Sequence, residues 1–437
     1  MRKIGGVKTP HLKSTANSRG EYIPVSSAVT IPMKMHIGTP AKCIVAVGEY
    51  VKIGQLIGRA DGTASANVHA SVSGTVTHIE ETDRATGKRE LCVTIKSDGL
   101  RIYDESIFPH PVNSREEYLQ AVRDSGVVGL GGAAAPTGPK LTLEEAANID
   151  YLIVNGAECE PYMTCDTRTM LEDHEYLWQG VQHIKRFLKI PNIVIAIEKN
   201  KPEPIRIMRE HAEREPIASV FVLPELYPQG SKKSLIYNIT GRVVPEGKRP
   251  RDVGCVVINC STLAYIERYI SDGTPMISKR VTVDGTAVKS PCNVLVPLGT
   301  PISDVFAACG LTDDARKIVA GGPMMGSAVP SLEMSVIKGM NTLLAFREAD
   351  ATAPAESPCI RCGRCVSHCP MGLMVVDIQE AYFNNQTELL EKLHPGLCME
   401  CGCCSFTCPA KRQLTQYIKL AKSTLRTYTS RRAEGTE

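Results

Sequence analysis

The sequence lacks three features, and each absence excludes a class of protein. Its 437 residues contain no run of 18 apolar residues, which excludes a helix long enough to cross a bilayer. Its net charge is only +3, from 50 basic and 47 acidic residues, and this balance argues against nucleic acid as a partner. Residues 1–6 have no apolar core of the kind found in signal peptides. We therefore expect a cytoplasmic protein without a membrane span of its own.

The composition is that of an ordinary globular protein. Apolar residues make up 43% of the chain and charged residues 22%, so disorder is excluded as a description of the whole molecule. At roughly 150 residues per domain, a chain of this length predicts about three domains, with room for four small ones.

Cysteine is abundant, and its distribution is uneven. Of 17 cysteines, nine fall between Cys359 and Cys408. In a reducing compartment such crowding indicates metal binding rather than disulfides. Two runs share the spacing C-x2-C-x2-C-x3-C-P, and each is typical of a bacterial ferredoxin with [4Fe–4S] clusters. The two runs consist of Cys359, Cys362, Cys365 and Cys369, and of Cys398, Cys401, Cys404 and Cys408.

The spacing also predicts which cysteines share a cluster, because the fourth cysteine of each run binds the other cluster in two-cluster ferredoxins. One predicted set is Cys359, Cys362, Cys365 and Cys408, and the other is Cys398, Cys401, Cys404 and Cys369. Structural zinc is the alternative, but zinc sites usually have two separated cysteine pairs. Cys403 is a ninth thiol, which either packs beside the second cluster or is itself redox-active.

The rest of the chain divides by pattern. Residues 43–95 contain short β segments broken by glycine, which predict a compact β sandwich or barrel. This pattern resembles the barrel-sandwich hybrid of biotinyl and lipoyl carriers. The hairpin that would present the modified lysine, at 60–69, contains no lysine, so we expect a structural or docking module there.

Residues 114–272 alternate between predicted helices and strands, which indicates an α/β layer with a largely parallel sheet. The strands are expected at 151–154, 193–197, 219–223 and 255–258, and the helices at 114–125, 172–188 and 205–213. Residues 279–346 return to short β segments and predict a β-grasp-like module. An Ala/Pro-rich linker at 348–357 leads to the cysteine runs, and helices are expected at 375–383, 389–393 and 414–425.

A glycine-rich loop holds Gly129, Gly131 and Gly132. It follows a predicted helix rather than a strand, which disfavours an ordinary Rossmann site for NAD. Its glycines would still let backbone N–H groups approach a phosphate or a flavin ring closely. Lys140, downstream of the loop, would supply a positive charge for a phosphate or a reduced flavin.

Polar residues follow two of the predicted strands, where ligands of open α/β sheets bind. Asn155, Glu158 and Glu160 follow the first strand. The two acids are either solvated loop residues or acceptors for a ribityl chain or a ribose. After the last strand comes Asn259, and Ser261 or Thr262 is expected to cap a helix whose N-terminus could hold a phosphate.

These segments resemble a known family. Residues 129–140, 151–161, 227–230 and 259–262 are similar to the FMN/NADH-binding module shared by the flavoprotein subunit of complex I and the RnfC protein of the Rnf complex. The double ferredoxin run, Gly5-Gly6-Val7-Lys8 and residues 69–74 resemble RnfC.

The resemblance implies a multidomain α/β plus β fold with four units in order. They are a barrel-sandwich hybrid at 1–112, a Rossmann-like FMN-binding α/β domain at 113–278, a β-grasp (SLBB) domain at 279–347 and a helical two-cluster ferredoxin domain at 348–437. It also implies FMN contacts at Gly129, Gly131, Gly132, Lys140, Asn155, Glu158, Asn259 and Thr262.

The implied function is that of an oxidoreductase component. Electrons would pass between NADH, FMN and two [4Fe–4S] clusters, to or from a ferredoxin or a partner subunit, and partner subunits could hold the chain at the cytoplasmic membrane. The side chains need not act as acids or bases, because the cofactors carry the chemistry. Arg361, Arg364, Lys411 and Arg412 would either raise a cluster's potential or form a docking face for an acidic ferredoxin.

Three residues depart from the family pattern inside the nucleotide pocket. Ala134 and Ala135 replace a glycine and a phenylalanine, and Lys232 stands near the position of an expected acid. These departures support two alternatives. The chain could deliver electrons to a dedicated soluble reductase such as proline reductase, with a weakened NADH site and with Cys403 meeting a partner thiol. It could also be a non-enzymatic relay with an empty flavin pocket.

Overall fold

The structure, a computed structural model, describes residues 4–25, 27–83, 89–143, 148–433 and 435. Residues 1–6 contain no signal-peptide core, and residues 1–3 of that segment lie outside the described residues. Among the described helices, none combines the length and the apolar character that a bilayer crossing requires.

The N-terminal quarter of the chain is a β sandwich. Its strands are β1 (Gly20–Tyr22), β2 (Ala28–Pro32), β3 (Lys42–Cys43), β4 (Tyr50–Val51), β5 (Leu56–Arg59), β6 (Val68–His69), β7 (Gly74–Asp83) and β8 (Arg89–Ser97). One sheet has the order β2-β8-β7-β4 and the other β3-β5-β6. Alternate residues of these strands, such as Val29, Ile31 and Val93, are buried in one apolar core, as the two-residue period of a strand requires. The expected sandwich is therefore present.

The second region is the predicted α/β layer. Its elements are α1 (Arg115–Asp124), α2 (Thr137–Leu141), β9 (Tyr151–Gly156), α3 (Cys165–Glu172), α4 (His174–Leu188), β10 (Asn192–Glu198), α5 (Pro202–Arg214), β11 (Ser219–Leu223), α6 (Lys232–Thr240), β12 (Cys255–Asn259) and α7 (Cys260–Asp272). The sheet order is β11-β10-β9-β12, and every neighbouring pair is parallel. Leu152 and Val154 enter one core while Ile153 enters another, so both faces of the sheet are covered.

The third region is a mixed sheet. It contains β13 (Ser278–Asp284), β14 (Cys292–Pro297), α8 (Ile302–Cys309), β15 (Ala315–Ala320), β16 (Ser327–Ala328) and β17 (Thr342–Arg347). The strand order is β1-β14-β13-β17-β15-β16, so the sheet takes its edge strand from the N-terminus of the chain. The pairing of Gly20 with Asn293 ties the first region to the third.

The C-terminal region is helical. Its elements are α9 (Glu348–Ala351), α10 (Arg364–Ser367), α11 (Val375–Phe383), α12 (Thr387–Lys392), α13 (Cys403–Phe406) and α14 (Leu414–Ala433). Its core is formed by residues from these helices and the segments between them, including Leu373, Ile378, Leu390, Ile418 and Ala421.

Three helix predictions need correction. The helix predicted at 172–188 is α4, which begins at His174, and Glu172 is instead the last residue of α3, a helix that was not predicted. The predicted linker begins with one helical turn, α9, and the tail helix α14 continues to Ala433 instead of ending at residue 425. The boundaries of the four predicted domains stay predictions.

Candidate cofactor sites

Two cavities in the C-terminal region are lined by cysteine. The cavity that we call the inner cavity is lined by Cys369, Cys398, Cys401 and Cys404. The outer cavity is lined by Cys359, Cys362, Cys365 and Cys408. Each cavity thus collects three thiols from one run and the fourth from the other run. This is the same grouping that the spacing predicts for the two clusters.

The donor groups around the cavities fit four-iron clusters. All eight cysteines are free of disulfides, and three of the sulfur atoms accept backbone N–H groups. Arg361 N–H donates to Cys359 Sγ at 3.4 Å, Leu373 N–H to Cys369 Sγ at 3.4 Å and Glu400 N–H to Cys398 Sγ at 3.3 Å. Such hydrogen bonds stabilise negative charge on cluster thiolates. The assignment of individual ligands stays a prediction that these cavities support.

Burial sets the protonation of the inner thiols in the metal-free chain. It raises the pKa of the Cys398 thiol to about 12 and that of Cys404 to about 11. Both groups are therefore neutral thiols near pH 7 until a metal cation displaces their protons.

The inner cavity is covered by other regions of the chain. Two of its lining residues, Cys401 and Cys403, share a small apolar cluster with Val7, Tyr227 and Met324. The Tyr227 hydroxyl donates a hydrogen bond to the Cys401 carbonyl at 2.7 Å. Gly5 lies so close to Cys369 that an added Cβ would be 2.4 Å from the Cys369 carbonyl oxygen. The glycine pair near the N-terminus therefore permits the chain to pass over this cavity.

Cys403 lines the inner cavity as a fifth thiol. It is 1% exposed, and its Sγ lies 3.8 Å from the Tyr227 carbonyl oxygen, to which it donates. A partner thiol has no access to a side chain buried to this degree. Of the two alternatives for Cys403, the structure therefore favours packing over thiol exchange with another protein.

The glycine-rich loop closes on itself and is held by α7. Gly129 N–H donates to the Ala135 carbonyl at 2.7 Å, and Ala134 N–H donates to the Gly129 carbonyl at 3.1 Å. Leu130 N–H donates to Thr262 Oγ1 at 2.8 Å. Gly132 has a φ of +104° and open space where a Cβ would lie, so a ligand can approach the backbone there.

The loop lies beside the carboxyl ends of two neighbouring strands. Asn155 on β9 is in register with Asn259 on β12, and a Cβ on Gly131 would lie 3.4 Å from the Asn259 Cβ. The structure thus brings together five predicted contact residues: Gly129, Gly131, Asn155, Asn259 and Thr262. Asn259 itself caps α7, since its Oδ1 accepts from Thr262 N–H at 3.1 Å. The expectation that Ser261 or Thr262 is the cap is wrong, because the helix begins earlier, at Cys260.

Two lysines bring positive charge to this pocket. Burial, together with the charge of Lys232, lowers the pKa of Lys140 to about 8. Burial also lowers the pKa of Lys232. No ion pair joins either ammonium group to an acid within the described part of the chain. Two buried lysines beside a glycine loop are consistent with the prediction that a phosphate or a flavin binds here.

The two acids after β9 have other partners. The Glu158 carboxylate accepts Asp166 N–H at 2.6 Å and Thr167 N–H at 3.2 Å, so it caps the start of α3 from a buried position. It is not a solvated loop acid, and its predicted contact with a flavin stays a prediction. Glu160 Oε2 accepts from Met324 N–H at 3.0 Å, and burial raises the pKa of Glu160 to about 7.

Two further lysines support this pocket, and sequence reasoning missed both. Lys13 Nζ donates to the carbonyls of Glu158 at 2.9 Å and Glu160 at 2.7 Å. Lys201 Nζ donates to the Ala157 carbonyl at 2.7 Å. They hold the turn after β9 in place. Nothing local in the sequence indicates this role, because the contacts span 145 and 44 residues of chain.

One short loop connects the glycine-loop pocket to the inner cavity. In the 227–230 loop, the Gly230 carbonyl accepts from Asn155 Nδ2 at 3.0 Å, and Gly230 N–H donates to Cys159 Sγ at 3.4 Å. At its other end, Tyr227 contacts Cys401 and Cys403. The two candidate sites therefore face opposite ends of the same four residues.

Comparison with known protein families gives four matches in chain order. They are the RnfC barrel sandwich hybrid domain at residues 1–100, the Nuo51 FMN-binding domain at 122–268, the SLBB domain at 280–328 and the 4Fe-4S dicluster domain at 358–411. These matches confirm the predicted fold classes and their order. They also confirm the expected cofactor classes, a flavin mononucleotide and two four-iron clusters.

Two relatives match over most of their length. The C-subunit of the proton-translocating ferredoxin:NAD(+) oxidoreductase complex of Clostridium ljungdahlii is 39% identical, over 96% of this chain and 93% of the relative. The C-subunit of the Na(+)-translocating ferredoxin:NAD(+) oxidoreductase complex of Acetobacterium woodii is 36% identical, over 96% of both chains. Among solved structures, an NAD+-reducing [NiFe]-hydrogenase in the H2-reduced state matches with a TM-score of 0.51 at 17% identity, covering 74% of this chain and 67% of that one. At that identity the likeness concerns the fold alone.

Proposed function

The chain belongs to the RnfC family, and from this premise we propose an order for its electron-transfer sites: the glycine-loop pocket, the inner cavity, the outer cavity and then a partner protein. The protein is an electron-transfer flavo-iron–sulfur protein of this family. When bound, FMN exchanges a hydride for single electrons, and each four-iron cluster carries one electron at a time.

The observation that carries the proposal is the position of the 227–230 loop. Asn155, a predicted flavin contact, bonds to Gly230, and Tyr227 bonds to the backbone of Cys401. The path from Asn155 to Cys401 consists of two hydrogen bonds and the covalent bonds of this loop. The outer cavity has no such contact with the pocket among the described residues, so the inner cavity is the first acceptor or the last donor beside the flavin.

In the glycine-loop pocket, the residues of the chain bind the flavin and take no part in the reaction themselves. The open backbone at Gly132 and the Lys140 ammonium group are placed to hold a phosphate, and Thr262 fixes the loop through Leu130. Lys232 adds a second positive charge. This arrangement supports the predicted FMN contacts at Gly129, Gly131, Gly132, Lys140, Asn155, Asn259 and Thr262.

At the other end, the outer cavity is open to a partner. Cys359 and Cys362 are exposed, and Ile360 between them is 66% exposed. Arg361 has an exposed side chain that makes only a 4.0 Å ion pair with Glu380. An apolar side chain ringed by basic residues suits an acidic ferredoxin or an electron-transfer subunit, because complementary charge steers such encounters.

The relatives are subunits of larger complexes, which supports a place for this chain among other electron-transfer subunits. We place it in the cytoplasm, held at the membrane face by those partners. A second candidate function, delivery of electrons to a dedicated soluble reductase such as proline reductase, is favoured by Lys232 and by Ala135, which removes an aromatic surface from the nucleotide pocket. An empty flavin pocket is the third candidate.

The test is purification without oxygen, followed by cofactor quantification and titration with NADH. We expect one FMN and about eight irons per chain, as two four-iron clusters require. NADH should bleach the flavin absorbance first and the cluster absorbance afterwards. Bound FMN that NADH leaves oxidised would support the soluble-reductase candidate, and a sample without flavin would support the relay.

A further inference from the structure

Two histidines and a glutamate meet on α4 and α5, elements that carry none of the predicted cofactor contacts. His174 and Glu175 are the first two residues of α4, and His211 lies near the end of α5. His174 Nδ1 lies 3.0 Å from His211 Nε2. Glu175 Oε1 lies 3.5 Å from the first nitrogen and 4.0 Å from the second. Three potential metal ligands from two helices therefore face one point.

We propose that His174, Glu175 and His211 form a zinc-binding site, with water as the fourth ligand. The point equidistant from the three donor atoms in their common plane lies about 2.1 Å from each of them, which matches the distances of about 2.0–2.2 Å for zinc bound by imidazole nitrogen or carboxylate oxygen. The tetrahedral angles of zinc require Glu175, the most exposed of the three side chains, to move closer to His211. Two imidazoles and one carboxylate are also a ligand set that zinc accepts.

A hydrogen bond between the two histidines, without a metal, explains only part of this geometry. One neutral imidazole can donate to the other, which accounts for the 3.0 Å contact between His174 and His211. It does not involve the Glu175 carboxylate, whose Oε1 lies within 4.0 Å of both nitrogens. A single cation at the centre satisfies all three atoms at once, since each would offer it a lone pair.

The surroundings hold His211 in place. Its ring stacks on the Trp178 ring, with centroids 5.1 Å apart and planes 17° from parallel. Trp178 Nε1 donates to Glu215 Oε2 at 3.1 Å, which fixes the indole in turn. Supports of this kind orient the ligands of metal sites. The Glu175 side chain is 65% exposed, so solvent reaches the fourth position.

The site would fasten α4 to α5, since its ligands lie 37 residues apart in sequence. No cofactor or partner is needed for this role, and the inference does not depend on the order of electron transfer proposed above. Calcium or magnesium would require more oxygen ligands than the site offers. Copper(I) would require thiolate or thioether groups.

The test uses the full chain with both iron–sulfur clusters filled, so that the cluster cysteines do not compete for zinc. After brief treatment with a chelator, titration calorimetry with zinc chloride should show one zinc per chain. The change His174→Ala, at a half-buried side chain, should weaken binding at least about 100-fold, beyond the 10–100-fold loss typical of supporting residues. Glu175→Gln should weaken it about 10-fold or more.

Trp178 provides a second readout, because it is the only tryptophan of the chain and stacks on His211. Nickel should quench its fluorescence in the wild type and lose this effect in His174→Ala and His211→Gln. His78→Ala, which removes an exposed imidazole on β7, serves as the control and should bind zinc as the wild type does. The proposal is overturned if the wild type binds no zinc, or if His174→Ala and Glu175→Gln, folded as shown by circular dichroism, keep wild-type affinity.

Discussion

The inner and outer cavities share one ligand pattern and differ in what surrounds it. Cys401 and Cys404 of the inner cavity are each 7% exposed. Cys401 packs with Tyr227 and Met324, and Cys404 belongs to the core of the C-terminal region. Cys359 and Cys362 of the outer cavity are exposed. The cysteine spacing is therefore the same in both cavities, and the packing of other parts of the chain makes one of them buried and the other exposed.

The charged residues around the two cavities also differ. The rim of the outer cavity carries Arg361, Arg364 and Arg412. Near the inner cavity, Glu400 is neutralised by ion pairs with Lys419 and Lys422. Solvent exposure and nearby charge both change the reduction potential of a four-iron cluster. Clusters in the two cavities should therefore differ in reduction potential, although both have four cysteine ligands.

The largest expected effect comes from removing the inner cluster. Cys401→Ser should reduce the iron content from about eight to about four atoms per chain. NADH should still bleach the flavin, but the outer cluster should remain oxidised, because its neighbour in the electron path is missing. Iron analysis, flavin absorbance and electron paramagnetic resonance of the reduced sample measure these three quantities.

The matched variant is Cys362→Ser in the outer cavity. It should lose the same amount of iron and yet keep NADH-dependent reduction of the inner cluster, while transfer to ferredoxin stops. If the outer cluster is still reduced by NADH in Cys401→Ser, the inner cavity does not lie between the flavin and the outer cavity, and the proposed order is wrong.

The next effect concerns the flavin side of the inner cavity. Lys140→Met should weaken FMN binding about 10- to 150-fold, because a hydrogen bond to a charged group contributes about 1.5–3 kcal/mol. Flavin retained after gel filtration, and flavin fluorescence during titration, measure the loss. Lys189→Met, at the end of α4, removes a charge elsewhere in the same domain and should leave FMN affinity unchanged.

The same lysine predicts a pH dependence. Because the pKa of Lys140 is lowered to about 8, its ammonium group is charged below that pH and neutral above it. FMN affinity should therefore fall as the pH rises through about 8, by at most tenfold per pH unit for one proton. Lys140→Met should show a flatter profile, and an equally steep decline in that variant would show that another group is responsible.

The sequence could predict features that depend on residues close together in the chain, and it could not predict contacts between residues that are far apart. The two cysteine sets could be predicted from spacing, because the first three cysteines of each run line one cavity and the fourth lines the other. The pairing of β1 with β14, the approach of Gly5 to Cys369 and the contacts of Lys13 join residues that are far apart in sequence. No local period indicates such partners. For the same reason the exposed and buried cavities could not be distinguished before the fold was known.

A smaller effect is expected at the rim of the outer cavity. Arg361→Gln should raise the KM for an acidic ferredoxin about 1.4- to fivefold at low salt, because an exposed charge pair contributes about 0.2–1 kcal/mol. The difference should disappear at high ionic strength, where exposed charges are screened. A steady-state assay over a salt series measures this. Arg206→Gln on α5, also exposed, is the control, and an Arg361→Gln effect that persists in high salt would point to the cluster potential instead of docking.

The smallest expected effect tests the contact between the pocket and the inner cavity. Tyr227→Phe removes the hydroxyl that donates to the Cys401 carbonyl at 2.7 Å, in a side chain that is 2% exposed. A hydrogen bond of this kind contributes about 1 kcal/mol, so the inner cluster should be lost at lower urea concentration, while iron content without urea stays at the wild-type level. Tyr382→Phe, the control, removes a hydroxyl from the C-terminal region at a position outside the inner cavity. It should not change the urea concentration at which the inner cluster is lost.

Electron transfer tests the same contact. In Tyr227→Phe the phenyl ring still fills the space of the tyrosine ring, so electron transfer from the flavin to the inner cluster should slow only slightly. A large loss of transfer with intact clusters would mean that the hydroxyl belongs to the electron path, whereas no change in urea sensitivity would mean that the domain contact is held by packing alone.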